Sequence, residues 1–233
     1  MPARQPVDTS RRAAIARALG AAGSLTLLPS ASLPATSGVL MAPQQSGGMA
    51  LEQALARRRS VRRYGPQPLA LAAVSQLLWA AQGITGSGGR RTAPSAGALY
   101  PLELHLLATR VEGLAAGVHR YVPATHALQL AVAESTASTL EQAALGQPAV
   151  GAAAAVVVIT AVEARSAGKY GARATRYVAF EAGAAAQNLA LQAAALGLGA
   201  VVIGGFDEAA VARALRLPSA ESPVVLMPIG MAV

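Results

Sequence analysis

The chain of 233 residues contains no cysteine. Disulfides, thiolate nucleophiles, Cys-ligated zinc and Cys-ligated iron–sulfur clusters are therefore excluded together. Histidine occurs three times, as His105, His119 and His126, without metal-ligand spacing, so no metal site is expected and each reads as a surface or strand residue. Aromatic residues make up 3% of the chain, and lysine occurs once, as Lys169. Single-stranded nucleic-acid binding needs aromatic platforms beside basic residues, and only Tyr64 lies near the main basic cluster, so no nucleic-acid partner is expected. No apolar run is long enough to cross a bilayer, so no stable membrane span is expected. Several catalytic templates are missing as well. There is no Gly-x-Ser-x-Gly elbow, no acid pair of glycosidase type, and Gly168-Lys169 is followed by Tyr170 rather than completing a phosphate-binding loop. Gly197-Leu198-Gly199 follows a helical stretch and precedes an extended one, the reverse of the dinucleotide-binding order.

What is present is a globular composition. Hydrophobic residues make up 53% and charged residues 13%, a balance incompatible with intrinsic disorder. Nineteen Lys+Arg against eleven Asp+Glu give a net charge of +8. The positive charge is clustered: Arg57, Arg58, Arg59, Arg62 and Arg63 fall within seven residues, and Arg90-Arg91 form a second pair. Such a cluster suits a compact anion such as a phosphate through bidentate guanidinium forks. It also suits a solvated helix end, where cations favour the dipole.

Residues 1–35 read as an export signal. Arg11-Arg12 is followed by an apolar stretch from Ala13 to Leu28 and a small-residue exit at Leu33-Pro34-Ala35, a pattern of the twin-arginine type. That implies an exported, periplasmic protein; a plain basic tail would leave it cytoplasmic. Removing this segment takes away four Arg and one Asp and leaves +5. Residues 36–48 read as a linker, and 49–233 as one domain.

Within that domain, periodicity predicts helices over 49–59, 70–82, 135–145 (with Ser135 as N-cap), 175–196 and 208–215. Strands are expected at 102–109, 118–122, 128–132, 153–162, 199–204 and 224–229, with a long loop over 83–97. The helix over 175–196 is apolar nearly all round, which places it centrally or in a subunit interface. The element order is not a clean strand–helix alternation, so the fold class is α+β.

Four segments are poorly explained as core: Arg58-Arg59-Ser60-Val61-Arg62, the run from Arg91 to Pro101 containing Pro94-Ser95-Ala96-Gly97, Lys169-Tyr170-Gly171, and Gly199 to Asp207 containing Ile203-Gly204-Gly205. In this order, with Gln187-Asn188-Leu189 before the last, they closely resemble the nitroreductase family of flavin enzymes. Within it they are most similar to the SagB-type dehydrogenase branch, which includes oxidases of thiazole/oxazole peptide maturation. The resemblance runs from about Leu51 to Gly230. It implies a central mixed or antiparallel sheet flanked by helices, a domain-swapped type of homodimer with two FMN molecules at the interface, and FMN-dependent oxidoreductase activity. NAD(P)H is implied as a possible electron donor and a small molecule or peptide as substrate.

By the same resemblance, Arg58, Arg59, Ser60 and Arg62 would hold the flavin phosphate and ribityl chain. Pro94, Ser95, Ala96 and Gly97 would lie along the ring of the flavin bound by the partner, and Gly204 and Gly205 would face N5. Lys169 and Tyr170 match a pair linked to azoline oxidation and are the catalytic candidates. Hydride would pass through N5 in a ping-pong cycle. Many nitroreductases carry Glu where this chain has Gly204, and the branch often follows the last strand's glycine with Arg or Lys where this chain has Met231. No peptide-recognition domain is visible, which favours a stand-alone reductase or dehydrogenase. A non-catalytic flavin- or ligand-binding module on the same fold is the alternative.

Overall fold

The structure is a computed structural model that describes residues 37–134 and 136–233. Residues 1–35, read above as an export signal, and the expected cap Ser135 lie outside the described residues. The α+β expectation holds: helices flank a seven-stranded sheet in which every ladder is antiparallel.

The sheet is built around strand β4 (Leu102–Ala108), which pairs with β5 (Gly117–Val122) on one side and β7 (Ala155–Ala161) on the other. Beyond β5 lie β6 (Ala127–Val132) and the edge strand β1 (Ser37–Val39); beyond β7 lie β9 (Ser222–Met231) and β8 (Leu198–Ala200). A separate two-stranded ribbon, β2 (Ile84–Gly86) with β3 (Arg90–Arg91), occupies the expected 83–97 loop.

All seven residues of β4 are buried, so the strand supplies both sheet faces. Leu102, Leu104 and Leu106 join Val157, Ile159, Met227 and Ile229 on one face. That face is covered by α2 (Leu71–Gln82), through Val74, Leu77 and Leu78, and by α6 (Ala174–Ala195), through Val178, Ala182, Leu189 and Ala193. Small residues dominate the buried stripe of α6, which lets it lie close to α2. Leu107, Val118, Val156, Val158 and Leu226 line the opposite face, against α3 (Ala137–Ala143), α4 (Pro148–Ala152) and α7 (Glu208–Leu215). Asp207 caps α7 by accepting from the Ala210 N–H at 2.8 Å.

Three elements depart from the sequence reading. Residues 36–48 are more than a linker: Ser37–Val39 adds a strand beside β6, and Leu40 is buried. The domain therefore packs from Ser37 rather than from residue 49. Helix α4, with Pro148 in its first turn, and helix α5 (Ala164–Tyr170) were unforeseen. Each is shorter than two turns and carries a glycine, so neither shows a resolvable period. His105 and His119 are buried in β4 and β5, and His126 occupies the β5–β6 turn. His105 Nε2 meets Glu221 Oε1 at 2.5 Å, and Thr160 donates to the same oxygen.

Candidate functional site

Two groups of residues stand out. The first begins where α1 (Leu51–Arg57) ends and Arg58 turns the chain out of the helix. Ser60 forms a parallel bridge with Ala200, and the Val61 N–H donates to the Ala200 carbonyl at 3.0 Å. Gly199 makes this approach feasible, since a Cβ there would lie 2.6 Å from Val61 Cγ1. The Tyr64 hydroxyl is shared between the carbonyls of Val61 at 2.7 Å and Pro228 at 3.0 Å. Burial pushes this hydroxyl well above the usual tyrosine range despite the Arg62 charge, so it stays a neutral donor. Residues 58–64 are thus laced onto the β8–β9 edge.

Arg58 is half-buried and Arg62 exposed, and neither forms a side-chain hydrogen bond or ion pair among the described residues. Arg59 differs: its guanidinium folds back on the carbonyls of Ala56 at 2.9 Å and Arg58 at 2.8 Å, capping α1. Along the same edge, Ile203 bridges Leu226 and the chain then leaves the sheet at Gly204-Gly205. Both glycines are exposed, and a Cβ on either would meet nothing within 4 Å. Met231 pairs with Leu198, and its carbonyl accepts from the Gly65 N–H at 2.9 Å, so this residue at the end of β9 knits the sheet edge.

The second group is the turn from Pro94 to Pro101. Gly97, Ala98 and Tyr100 have φ of +64°, +55° and +46°. A non-glycine residue in the left-handed region costs about 1 kcal/mol, and such strain persists only where the surroundings over-determine it. Here they do. Ser95 Oγ accepts from the Tyr100 N–H at 2.8 Å, and the Ala96 N–H donates to Glu181 Oε1 at 2.8 Å. Arg165 of α5 donates to the Tyr100 carbonyl at 3.0 Å and to Glu103 Oε1 at 2.6 Å, while Arg120 holds Glu103 Oε2 at 3.0 Å. The Arg91 guanidinium lies 4.7 Å from the centroid of the Tyr100 ring. Burial lowers the Arg91 pKa from its ordinary value, partly offset by the Glu103 charge.

Lys169 and Tyr170, at the C-terminal end of α5, reach this turn. A Cβ on Gly97 would lie 2.8 Å from the Tyr170 hydroxyl and 2.9 Å from Lys169 Nζ. The Tyr170 ring stands edge-on to Tyr177 with centroids 4.8 Å apart, and Lys169 Nζ is 5.4 Å from the Tyr170 centroid. The fold therefore joins the Pro94–Gly97 turn to the Lys169-Tyr170 pair, and the arginine segment to the edge carrying Gly204-Gly205. No hydrogen bond or ion pair among the described residues joins one group to the other within a chain. Glu181, Arg165 and Glu103 escaped the sequence reading. Only Glu181 carried a signal, as the one acid among the few polar residues that interrupt a nearly all-apolar helix.

The donor set fits a phosphate-bearing cofactor. Two guanidinium groups that meet no acceptor among the described residues, and the Ser60 hydroxyl, sit on a segment pinned to one sheet edge. The strand end beside it is left open by two glycines.

Comparison with known proteins agrees. The profile of the nitroreductase family matches residues 55–231. A candidate nitroreductase from Methanocaldococcus jannaschii is 41% identical over 180 residues, covering 77% of this chain and 90% of that protein. The crystal structure of a candidate nitroreductase from Ralstonia eutropha has a TM-score of 0.76 at 34% identity, covering 84% of this chain and 90% of that one. The Escherichia coli microcin synthetase complex, bound to a truncated microcin precursor, includes a chain with a TM-score of 0.65 at 26% identity, covering 84% and 78%. With its α+β fold and the phosphate-suited edge described above, the chain belongs to the nitroreductase family of FMN-dependent oxidoreductases.

Proposed function

We propose that this chain is a SagB-type member of the family, a dehydrogenase or reductase acting on a small molecule or peptide as a homodimer. One observation carries the reading: the Arg58–Arg62 segment is pinned to the same sheet edge on which Gly204-Gly205 leave open space. In this reading Arg58, Arg62 and the Ser60 hydroxyl hold the FMN phosphate. Arg59 contributes only after releasing the α1 carbonyls it now caps. Gly204 and Gly205 offer backbone to the flavin N5 edge, and the absence of a side chain at Gly204 keeps that approach clear. When bound, FMN supplies hydride chemistry at N5, reduced by a donor such as NAD(P)H and reoxidised by an acceptor in a ping-pong cycle.

Pro94, Ser95, Ala96 and Gly97 form a small-residue surface against which a flat ring bound by a second copy can lie. Lys169 and Tyr170 place an ammonium and a phenol at that surface, able to move a proton to or from substrate. The 26% identity to a chain of a peptide-bound synthetase supports a peptide among the substrate classes. Phe180 at 66%, Leu51 at 60% and Leu55 at 51% exposure leave apolar surface on α6 and α1 for a second copy to cover. Residues 1–35 act as a twin-arginine export signal, tested by whether a reporter fused to them leaves the cytoplasm.

The direct test is spectral and kinetic. The purified protein should be yellow or take up added FMN, and should oxidise NADH with a nitroaromatic or quinone acceptor. A colourless protein that binds no FMN would overturn the reading.

A further inference from the structure

Helix α5 carries Lys169 and Tyr170 but has little of its own to hold it in place. It is seven residues long, contains Gly168, and buries one side chain, Ser166, whose hydroxyl has no hydrogen-bond partner among the described residues. A helix of this length is not stable by itself, and no buried apolar side chain anchors it to the sheet. Its last two residues nevertheless lie close against Gly97. Thr175 donates to Glu163 Oε1 at 2.7 Å and the Tyr170 ring meets Tyr177, but both contacts fasten α5 to α6 rather than to the turn.

The link to the turn comes from the sheet. In the β4–β7 ladder Leu102 stands opposite Ala161 and Glu103 opposite Thr160. The turn from Pro94 to Pro101 therefore enters β4 at the sheet end from which β7 leaves for α5. The Val162 N–H donates to the Pro101 carbonyl at 2.8 Å. Arg165 then spans the two segments: Nη1 donates to the Tyr100 carbonyl at 3.0 Å and Nη2 to Glu103 Oε1 at 2.6 Å. Arg120 of β5 holds the other oxygen, Oε2, at 3.0 Å, so the carboxylate cannot rotate without losing a charge-assisted bond. The Glu103 side chain is 10% exposed against 38% for Arg165, so the carboxylate is the fixed member and the arginine is the one it orients. Arg165 and Lys169 are four residues apart and share one face of α5.

We infer that Glu103 is a positioning residue for the reaction: through Arg165 it holds α5 in the register that sets Lys169 and Tyr170 against the Pro94–Gly97 turn. The inference rests on the proton-moving role proposed for that pair. Glu103 acts only through the arginine, whose planar fork serves a carbonyl and a carboxylate at once, as an ammonium on a flexible stem does not.

The test compares Glu103→Gln and Arg165→Lys with wild type, using the full chain. Amide hydrogen exchange is followed on the protein as purified, and steady-state turnover with NADH and a quinone after addition of FMN. Glu103→Gln keeps the shape but offers two guanidinium groups one acceptor oxygen; Arg165→Lys keeps the charge but loses the fork. Each should lower kcat by about tenfold, the cost of a displacement of roughly half an ångström. The quinone KM should move by less than about twofold, because ground-state binding is untouched. Exchange should quicken by about tenfold in residues 95–100 and 164–170 together and stay at the wild-type level in α7. Wild-type kcat in both variants, or a loss carried by KM, would overturn the inference. So would exchange that is unchanged, quickens in one segment alone, or rises across the whole domain, the last marking a merely structural role. A wild type that takes up no FMN would refute the flavin reading separately, and the exchange pattern would still decide whether Glu103 couples the two segments.

Discussion

Gly97→Ala tests whether the strained turn and the Lys169-Tyr170 pair form one unit. Gly97 has φ +64°, and its α-carbon faces both side chains. An alanine there meets two costs. The left-handed backbone costs about 1 kcal/mol for a residue with a Cβ. The added methyl also starts 2.8 Å from the Tyr170 hydroxyl and 2.9 Å from Lys169 Nζ, whereas ordinary contact begins at 3.4 Å. Both groups must therefore retreat by roughly half an ångström, because interiors tolerate little overlap. In a domain of this size about 1 kcal/mol lowers the melting temperature by roughly 2–4 °C. Misplacing reacting groups by 1 Å can cost about a hundredfold, so half that shift should lower turnover by about tenfold. Thermal melting and steady-state turnover with saturating FMN and NADH read the two effects separately. A melting temperature that falls while turnover stays at the wild-type level would refute the coupling. An unchanged melting temperature would refute the strain argument.

Further outcomes follow from the same geometry. Tyr170→Phe should keep the edge-on contact with Tyr177 and the melting temperature but lower turnover, which thermal melting and steady-state assays check. Arg165→Ala removes the donors to the Tyr100 carbonyl and Glu103 Oε1, and should destabilise by about 1–3 kcal/mol in urea unfolding. Gly230→Ala would place a Cβ 2.7 Å from Tyr64 Cβ, and should destabilise by about 1–3 kcal/mol while loosening the arginine segment, seen as faster proteolysis near Arg62-Arg63. His126 is held neutral: Tyr121 donates to its Nδ1, and its Nε2–H donates to the Met41 carbonyl. Burial lowers its pKa, against the opposing Met41 bond, so the unfolded chain binds the proton more readily. Stability should therefore fall as pH drops through the ordinary histidine value of 6.5, and His126→Asn should remove that part of the slope in urea titrations.

Much of the architecture was legible because burial writes itself as pattern. The apolar run before Val162 became β7, and the nearly uniform apolarity of 175–196 became α6, whose stripe from Val178 to Ala193 meets the sheet. Short elements were not legible. Strand β1 is three residues held by ladder bonds to β6, and α5 includes a glycine; both depend on tertiary partners that no local spacing reveals. The candidate site was legible as separate segments, whereas their arrangement in space was not. Gly97 beside Lys169 and Tyr170 joins residues more than seventy positions apart. Arg59 shows the limit of reading a motif residue by residue: helix capping competes for the same guanidinium. The Glu181 clamp on Ala96 was invisible because its partner is a backbone N–H, which every residue but proline carries.

The central claim is that this chain holds FMN by its phosphate through the Arg58–Arg62 segment. It is tested most directly by titrating FMN and riboflavin into wild type, Arg58→Ala and Arg62→Ala while following flavin fluorescence. The account predicts that each substitution weakens FMN binding by about tenfold or more, the range of a charge-assisted hydrogen bond, and leaves riboflavin binding unchanged because riboflavin has no phosphate. Wild-type affinity for FMN in both variants, or an equal loss for FMN and riboflavin, would contradict it.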